Sequence, residues 1–384
     1  MKIFPINKFI IYFIICYLII SFLGNFFLDY LTLNFLALLI FISFYFYLYI
    51  GASFGLLMPK IKRYSIIFNL NLVIYFFLII ITVTTILSWK CLIRKFGSLG
   101  FILLNSSEIR ANTIGKDDGT IPVILTYINS IVYSIFIMCL VLFKKNYQKK
   151  YILLTVYSFI LIFINDLLYF GRVGLIFSMF CFLGYFFYYN IKFKIKYIIL
   201  IIILVIIISL PRLIRGNFDN FTATVSDITP HYKIDIPPYY NFAVSYYIYY
   251  FSPIYAFSET LINNDLKPTY GSKTFTPVYN FINRFIIKND RISLIDEYAY
   301  IPFRYNIYSI VKDLYTDFGY LGIFLFALIM GIFIGFSFKN RFHTLNIFLF
   351  SWFFYTPIYN LISFGGFFIS FIFICLLTLI NSEV

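Results

Sequence analysis

The stretch KFKIKYIILIIILVIIISLPRLIRG, residues Lys192 to Gly216, decides how the rest of the chain is read. Lys192, Lys194 and Lys196 lead into the uncharged apolar run 197–210, and Pro211, Arg212 and Arg215 close it. In hydrocarbon such a run can satisfy its backbone polar groups only as a helix. Its basic approach marks one interface and its proline-arginine exit the other. The run is short for a span and has room to extend past Pro211 or to sit obliquely. Beyond it lies the one long departure from lipid, reaching to about Thr316.

Working outward, composition fixes the solvent. The chain is 62% hydrophobic and 12% charged with a mean hydropathy of +0.90, whereas soluble domains carry about a quarter charged residues. Further apolar runs bring the expected spans to about ten, at 9–27, 31–56, 66–88, 121–143, 151–170, 173–190, 197–210, 318–338, 345–361 and 365–381. The expected fold is an all-α polytopic membrane protein of about ten transmembrane helices with one large outward-facing helical loop. Spans one to seven occupy 1–210, with an outward amphipathic segment near 89–120; the loop is 211–316, and spans eight to ten fill 317–384. Lys2 and Lys8 precede the first run with no small-residue cleavage site after it, which reads as an uncleaved span.

Charge placement sets the expected orientation. Lys2, Lys8, Lys60, Lys62, Arg63, Lys144, Lys145, Lys149, Lys150, Lys192, Lys194, Lys196, Lys339 and Arg341 all fall on one side of the ladder. The positive-inside rule makes that side, and both termini, cytoplasmic. Nearly all of the formal +14 is thereby topological, so the basic balance gives no reason to expect a nucleic-acid partner. The lipid bilayer is the expected partner instead. Cys16, Cys139, Cys181 and Cys375 fall in spans and Cys91 at an outer edge, without metal-ligand or disulfide spacing. They read as free, buried thiols.

Two outward segments exceed turn length. Between Trp89 and Thr120 the run Phe96 to Leu104 is amphipathic and reads as a helix on the membrane surface, with Asn105 and Glu108 spaced like a capping box before Arg110. Lys116-Asp117-Asp118-Gly119 reads as a solvated turn. In the large loop, Tyr239 to Leu261 reads as one or two helices interrupted at Pro253. Lys267 to Asn283 reads as a connection, and Asn306 to Asp317 as a helical lead into the eighth span. Together they form a small helical cap.

No phosphate-binding glycine loop, dinucleotide fingerprint or metal-binding cluster is present, so no cofactor and no metal is expected. What remains is a group of outward arginines. Arg172 stands in the short turn Phe170-Gly171-Arg172-Val173-Gly174, and Arg212 and Arg215 follow the seventh span. Arg284, Arg291 and Arg304 lie later in the loop. Guanidinium groups offer a planar fork suited to a diphosphate, and the bland alternative is snorkelling or pairing with an acid such as Asp166. His231 is a candidate general base. Asp313 and Asp317 share a helical face, with a helix-dipole role as the bland alternative for Asp317.

The chain resembles the O-antigen and capsular oligosaccharide repeat-unit polymerases, the Wzy-type family. The resemblance rests on the Gly171-Arg172 turn, Pro211-Arg212 with Arg215, Tyr270-Gly271 with Thr274-Phe275-Thr276-Pro277, and Asn306-Ile307-Tyr308 leading to Asp317-Phe318-Gly319-Tyr320-Leu321-Gly322. It implies a bacterial inner-membrane glycosyltransferase that needs no metal and joins undecaprenyl diphosphate-linked oligosaccharides. Arg172, Arg212, Arg215 and Arg304 would hold the diphosphate. The base would be Asp317, His231 or no side chain at all. A flippase and a chain-length regulator of the same pathway are the implied partners. An O-antigen ligase acting on a lipid A-core acceptor shares the topology, and a lipid-linked oligosaccharide flippase or other transporter would also explain the spans.

Overall fold

The computed structural model describes residues 5–29, 33–61, 69–110, 120–192, 194–215, 229–237, 240–263, 266–283, 286, 299–301, 303–305 and 307–380. Its helices are α1 (Ile6–Leu23), α2 (Phe35–Leu57), α3 (Leu70–Phe96), α4 (Leu99–Leu104), α5 (Ser106–Arg110), α6 (Val123–Ser130), α7 (Val132–Asn146), α8 (Lys149–Leu168), α9 (Val173–Tyr188) and α10 (Ile195–Arg215). The large loop contributes α11 (Asn241–Phe251), α12 (Pro253–Ile262), α13 (Thr276–Ile282) and the antiparallel pair β1 (Ala299–Tyr300) and β2 (Arg304–Tyr305). The chain closes with α14 (Ile310–Lys339), α15 (His343–Tyr355) and α16 (Gly365–Ile380).

Among the described residues six helical stretches are long and apolar enough to cross a membrane: Ile6–Phe26, Phe35–Leu57, Leu70–Phe96, Val123–Asn146, Lys149–Leu168 and Ile310–Lys339. This is a helical membrane protein. The other four apolar runs also form helices, but their apolar lengths are shorter: Val173–Tyr188, Ile202–Pro211 and Gly365–Leu379, with α15 at 13 residues. The run expected to span 345–361 therefore stops early. At 1.5 Å per residue α15 covers about 20 Å against roughly 30 Å of hydrocarbon. Residues 356–364 then leave the helix through the 3-10 turn Leu361–Ser363, capped by the Asn360 side chain. Asn360 and Leu361 are buried within the protein, where irregular backbone is tolerated at such depth.

The tightest helix pair is α2 with α14. A Cβ on Gly51 or Gly55 would fall on the carbonyls of Leu328 and Ile332, and one on Gly331 or Gly335 on those of Leu48 and Ala52. Two small-xxx-small stripes thus face each other and let the backbones touch, the packing that substitutes for a hydrophobic drive in lipid. The contacts advance together along both helices, so the pair is parallel. Tyr47 and Tyr320 join hydroxyls at one end, 2.9 Å apart, and Lys339 Nζ reaches Leu57 O at 3.4 Å at the other. Gly319 breaks α14 with φ 63 and ψ −156.

In the large loop, two helices meet at Ser252-Pro253, as the proline predicts. The connection beyond Lys267 contains more structure than expected, because Pro277 starts α13 in its first turn. The cap sits on the C-terminal end of α1: Ser21 Oγ donates to Phe251 O at 2.9 Å and Tyr247 Oη to Ser21 O at 2.8 Å. In the first outward segment, α3 runs on to Phe96 and Ser98 caps α4. The capping-box reading of Asn105 is not met, since its side chain donates back to Phe101 O at 3.0 Å and closes α4 instead. All five cysteines are free, Cys139 and Cys181 are buried, and Cys16 is exposed on α1 rather than buried. The expected turn at Lys116 to Gly119 lies outside the described residues.

Candidate functional site

The centre of the loop end is the turn between α8 and α9. Asp166, in the last turn of α8, accepts the N–H of Gly174 at 3.2 Å and of Leu175 at 2.7 Å. These are two of the orphan donors at the start of α9, so the cap comes from the preceding helix. Gly174 is required there, because a Cβ would strike Tyr133 Oη and Asp166 Oδ1. Tyr355 Oη adds a bond to Val173 O at 2.9 Å. The carboxylate is thereby committed to backbone amides.

Arg172 occupies the N-cap position of α9. Its guanidinium carbon lies 4.4 Å from the ring centroid of Tyr249 and 5.5 Å from that of Tyr246, both on α11. Its Nη1 is buried with no hydrogen-bond partner. Arg110, at the end of α5, reaches the same turn: its Nη1 donates to Tyr169 O at 2.7 Å and stands beside Gly171. Burial pushes the Arg110 pKa below its ordinary value and the neighbouring Arg172 charge adds to this, while Tyr359, Tyr249 and Asp166 act the other way. Guanidinium groups stay protonated at neutral pH. The α8–α9 turn thus brings together two guanidinium groups and, among the described residues, a carboxylate bonded to backbone amides. Helix lengths separate it from the basic turns, since the 20 residues of α8 put Lys149 about 30 Å from the turn.

α10 continues through Pro211 to Arg215 and packs on α4, α5 and α9. Ser209 and Tyr246 hydroxyls are 2.8 Å apart, fixing this end of α10 to α11. The side chains of Arg212, Arg215 and Arg304 lie outside the described part, as do Arg284 and Arg291. Arg304 is on β2, opposite Tyr300. The adjoining Tyr305 donates to Ile248 O and Tyr249 O, each at 3.2 Å, so the strand pair braces α11. His231 ends a 3-10 turn, accepts Asp29 N on its carbonyl at 2.8 Å, and places its half-buried ring 6.3 Å from that of Phe303.

Asp317 is 3% exposed. It accepts the Thr269 hydroxyl, Lys273 N at 3.2 Å and Thr274 N at 2.6 Å. Thr269 N also bonds Thr316 O at 3.2 Å, and Asn360 Nδ2 reaches Thr274 O at 3.4 Å. Gly271, at φ 90, lets the turn lie on the Phe318 ring. The Tyr270-Gly271, Thr274 to Pro277 and Asp317 to Gly319 segments thus meet in space. Three donors on a buried carboxylate make Asp317 an anchor for residues 269–276. That geometry argues against both the base and the helix-dipole readings of it.

Three residues at this turn were not evident from the sequence. Arg110 looks there like the tail of an amphipathic surface helix, and Tyr246 and Tyr249 are lost among 36 tyrosines. A usable signal was present in the order Ser245-Tyr246-Tyr247-Ile248-Tyr249-Tyr250, which sets Tyr246 and Tyr249 three apart on one helical face. Among the described residues no group of three or more His, Cys, Asp or Glu side chains could hold a metal ion. No protein-family model, no curated protein and no solved structure matches the chain.

Proposed function

We propose that the chain polymerises undecaprenyl diphosphate-linked oligosaccharide repeat units into O-antigen or capsular polysaccharide, at the outer face of a bacterial inner membrane. In this reading about ten spans cross the bilayer, both termini are cytoplasmic, and the loop end faces outward. The observation that carries it is the half-buried Arg172 guanidinium, which stands near Arg110 and has its Nη1 buried without a hydrogen bond. Guanidinium groups at the head-group level suit a lipid-borne phosphoanion.

The reaction is glycosyl transfer. A hydroxyl of the incoming unit attacks the anomeric carbon of the growing glycan, the C–O bond to the diphosphate breaks, and undecaprenyl diphosphate leaves with the electron pair. Charge grows on the leaving group in the transition state, where fixed guanidinium groups act most strongly. Arg172 and Arg110 supply that field, with Arg212, Arg215 and Arg304 as further diphosphate ligands. The hydroxyl proton passes to His231 or to water. A flippase that delivers the units and a chain-length regulator are the partners of this activity.

Deleting the gene and running surface glycan on a gel tests the reading. Single capped repeat units without a ladder are expected. Complete loss of glycan from its final acceptor, with long lipid-linked chains accumulating, would favour a ligase instead.

A further inference from the structure

One face of α3 is turned away from the rest of the protein. Leu72, Phe76, Ile79, Val83 and Ile86 are all exposed there, whereas Ile74, Leu78 and Ile81 on the other side are buried. Steps of four and three residues place the exposed five in a single stripe, and two further steps of four carry it on to Lys90 and Arg94, also exposed. α3 is long and apolar enough to cross a membrane, so the stripe faces lipid. From Leu72 to Lys90 the axis rises about 27 Å, against roughly 30 Å of hydrocarbon. The two cations therefore stand at head-group level, directly beyond the acyl chains that the stripe meets.

Protein groups do not account for this placement. Among the described residues neither Lys90 nor Arg94 has a hydrogen bond or an ion pair, and the sequence has no acid between Asp29 and Glu108. Lys95, by contrast, is engaged: its Nζ donates to Thr120 Oγ1 at 2.7 Å and lies 5.4 Å from the centroid of the Phe96 ring. The helix dipole favours Arg94 in the last turn but fades before Lys90, and like charges four residues apart disfavour a helix. An anion between them removes that repulsion. After Gly97, at φ 94, the chain enters α4, where Phe101 and Leu104 expose a second apolar face, as helices lying in the interface do.

We propose that the Lys90 and Arg94 end of α3 binds an anionic phospholipid of the surrounding bilayer: the two cations take its phosphate and the stripe takes an acyl chain. A zwitterionic lipid fills the stripe equally well, but its own ammonium offsets the phosphate, so the site selects by head-group charge. The site goes beyond the polymerase reading and depends neither on it nor on which side of the membrane the loop occupies.

Tryptophan emission of the purified full chain in neutral-detergent micelles tests this, titrated with phosphatidylglycerol or phosphatidylcholine bearing a nitroxide near the head of one acyl chain. Trp89 adjoins Lys90, and the second tryptophan, Trp352, is buried. Phosphatidylglycerol should be preferred by about fivefold for each cation engaged, and the preference should vanish at about 1 M salt, where the screening length is about 3 Å. Lys90→Gln and Arg94→Gln should each lose about fivefold of it. The double variant should treat the two lipids alike while phosphatidylcholine still quenches, which shows in the same titration that the stripe remains in place. Trp89→Phe should remove the part of the quenching that depends on the head group. Equal quenching by both lipids in the unaltered chain, full preference in either single variant, or a preference that survives the double variant, high salt or Trp89→Phe would each overturn the proposal.

Discussion

Asp166 accepts the N–H of Leu175 at 2.7 Å, so a carboxylate beside the arginine turn serves the helix that follows it. Asp166→Asn should retain one acceptor and fold, while Asp166→Ala should cost about 0.5–2 kcal/mol, the usual worth of an N-cap. Thermal unfolding in detergent measures the difference. Equal stability of the Ala variant and the unaltered chain would remove Asp166 from the cap.

Arg110 and Arg172 meet at one turn, the first from α5 and the second at the start of α9. Arg110→Ala should therefore reduce the glycan ladder strongly at normal protein level, and Arg110→Lys should restore part of it, since lysine keeps the charge but not the planar fork. A full ladder in the Ala variant would exclude Arg110 from the site.

Asp317 gives the sharpest contrast between two roles. As the anchor of residues 269–276, its loss should expose that turn to limited proteolysis in Asp317→Ala and, more weakly, in Asp317→Asn. A base would instead show full loss of activity in both variants with the cleavage pattern unchanged.

Gly331 lies on the α2 backbone and Gly319 at a break in α14. Gly331→Leu should prevent the close approach of the two helices and lower the yield of folded protein. Gly319→Ala meets open space but must adopt a backbone region costing on the order of 1–3 kcal/mol for a residue with a Cβ. Melting temperatures should therefore fall in both variants.

How much of this was legible follows from what each signal measures. Apolar runs and lysine placement report transfer into lipid, so the six long helices followed from them, while they left open whether α10 runs past Pro211, as it does, or sits obliquely. They do not report where a helix ends inside the protein, and α15 stops at Tyr355 within an apolar stretch. Arg172 stood out because so short a turn has no topological need for a cation. Arg110 did not, for its meaning arises only when α5 folds back on Tyr169. The Asp317 anchor was hidden for the same reason, its donors lying more than forty residues upstream.

The most direct test places the purified chain in liposomes with undecaprenyl diphosphate-linked repeat units and follows the lipid-linked products. The account predicts a ladder of longer lipid-linked glycans with undecaprenyl diphosphate released, abolished by Arg172→Ala and partly restored by Arg172→Lys. Repeat units left at their original length by the unaltered chain, or a full ladder from the Arg172→Ala variant, would contradict it.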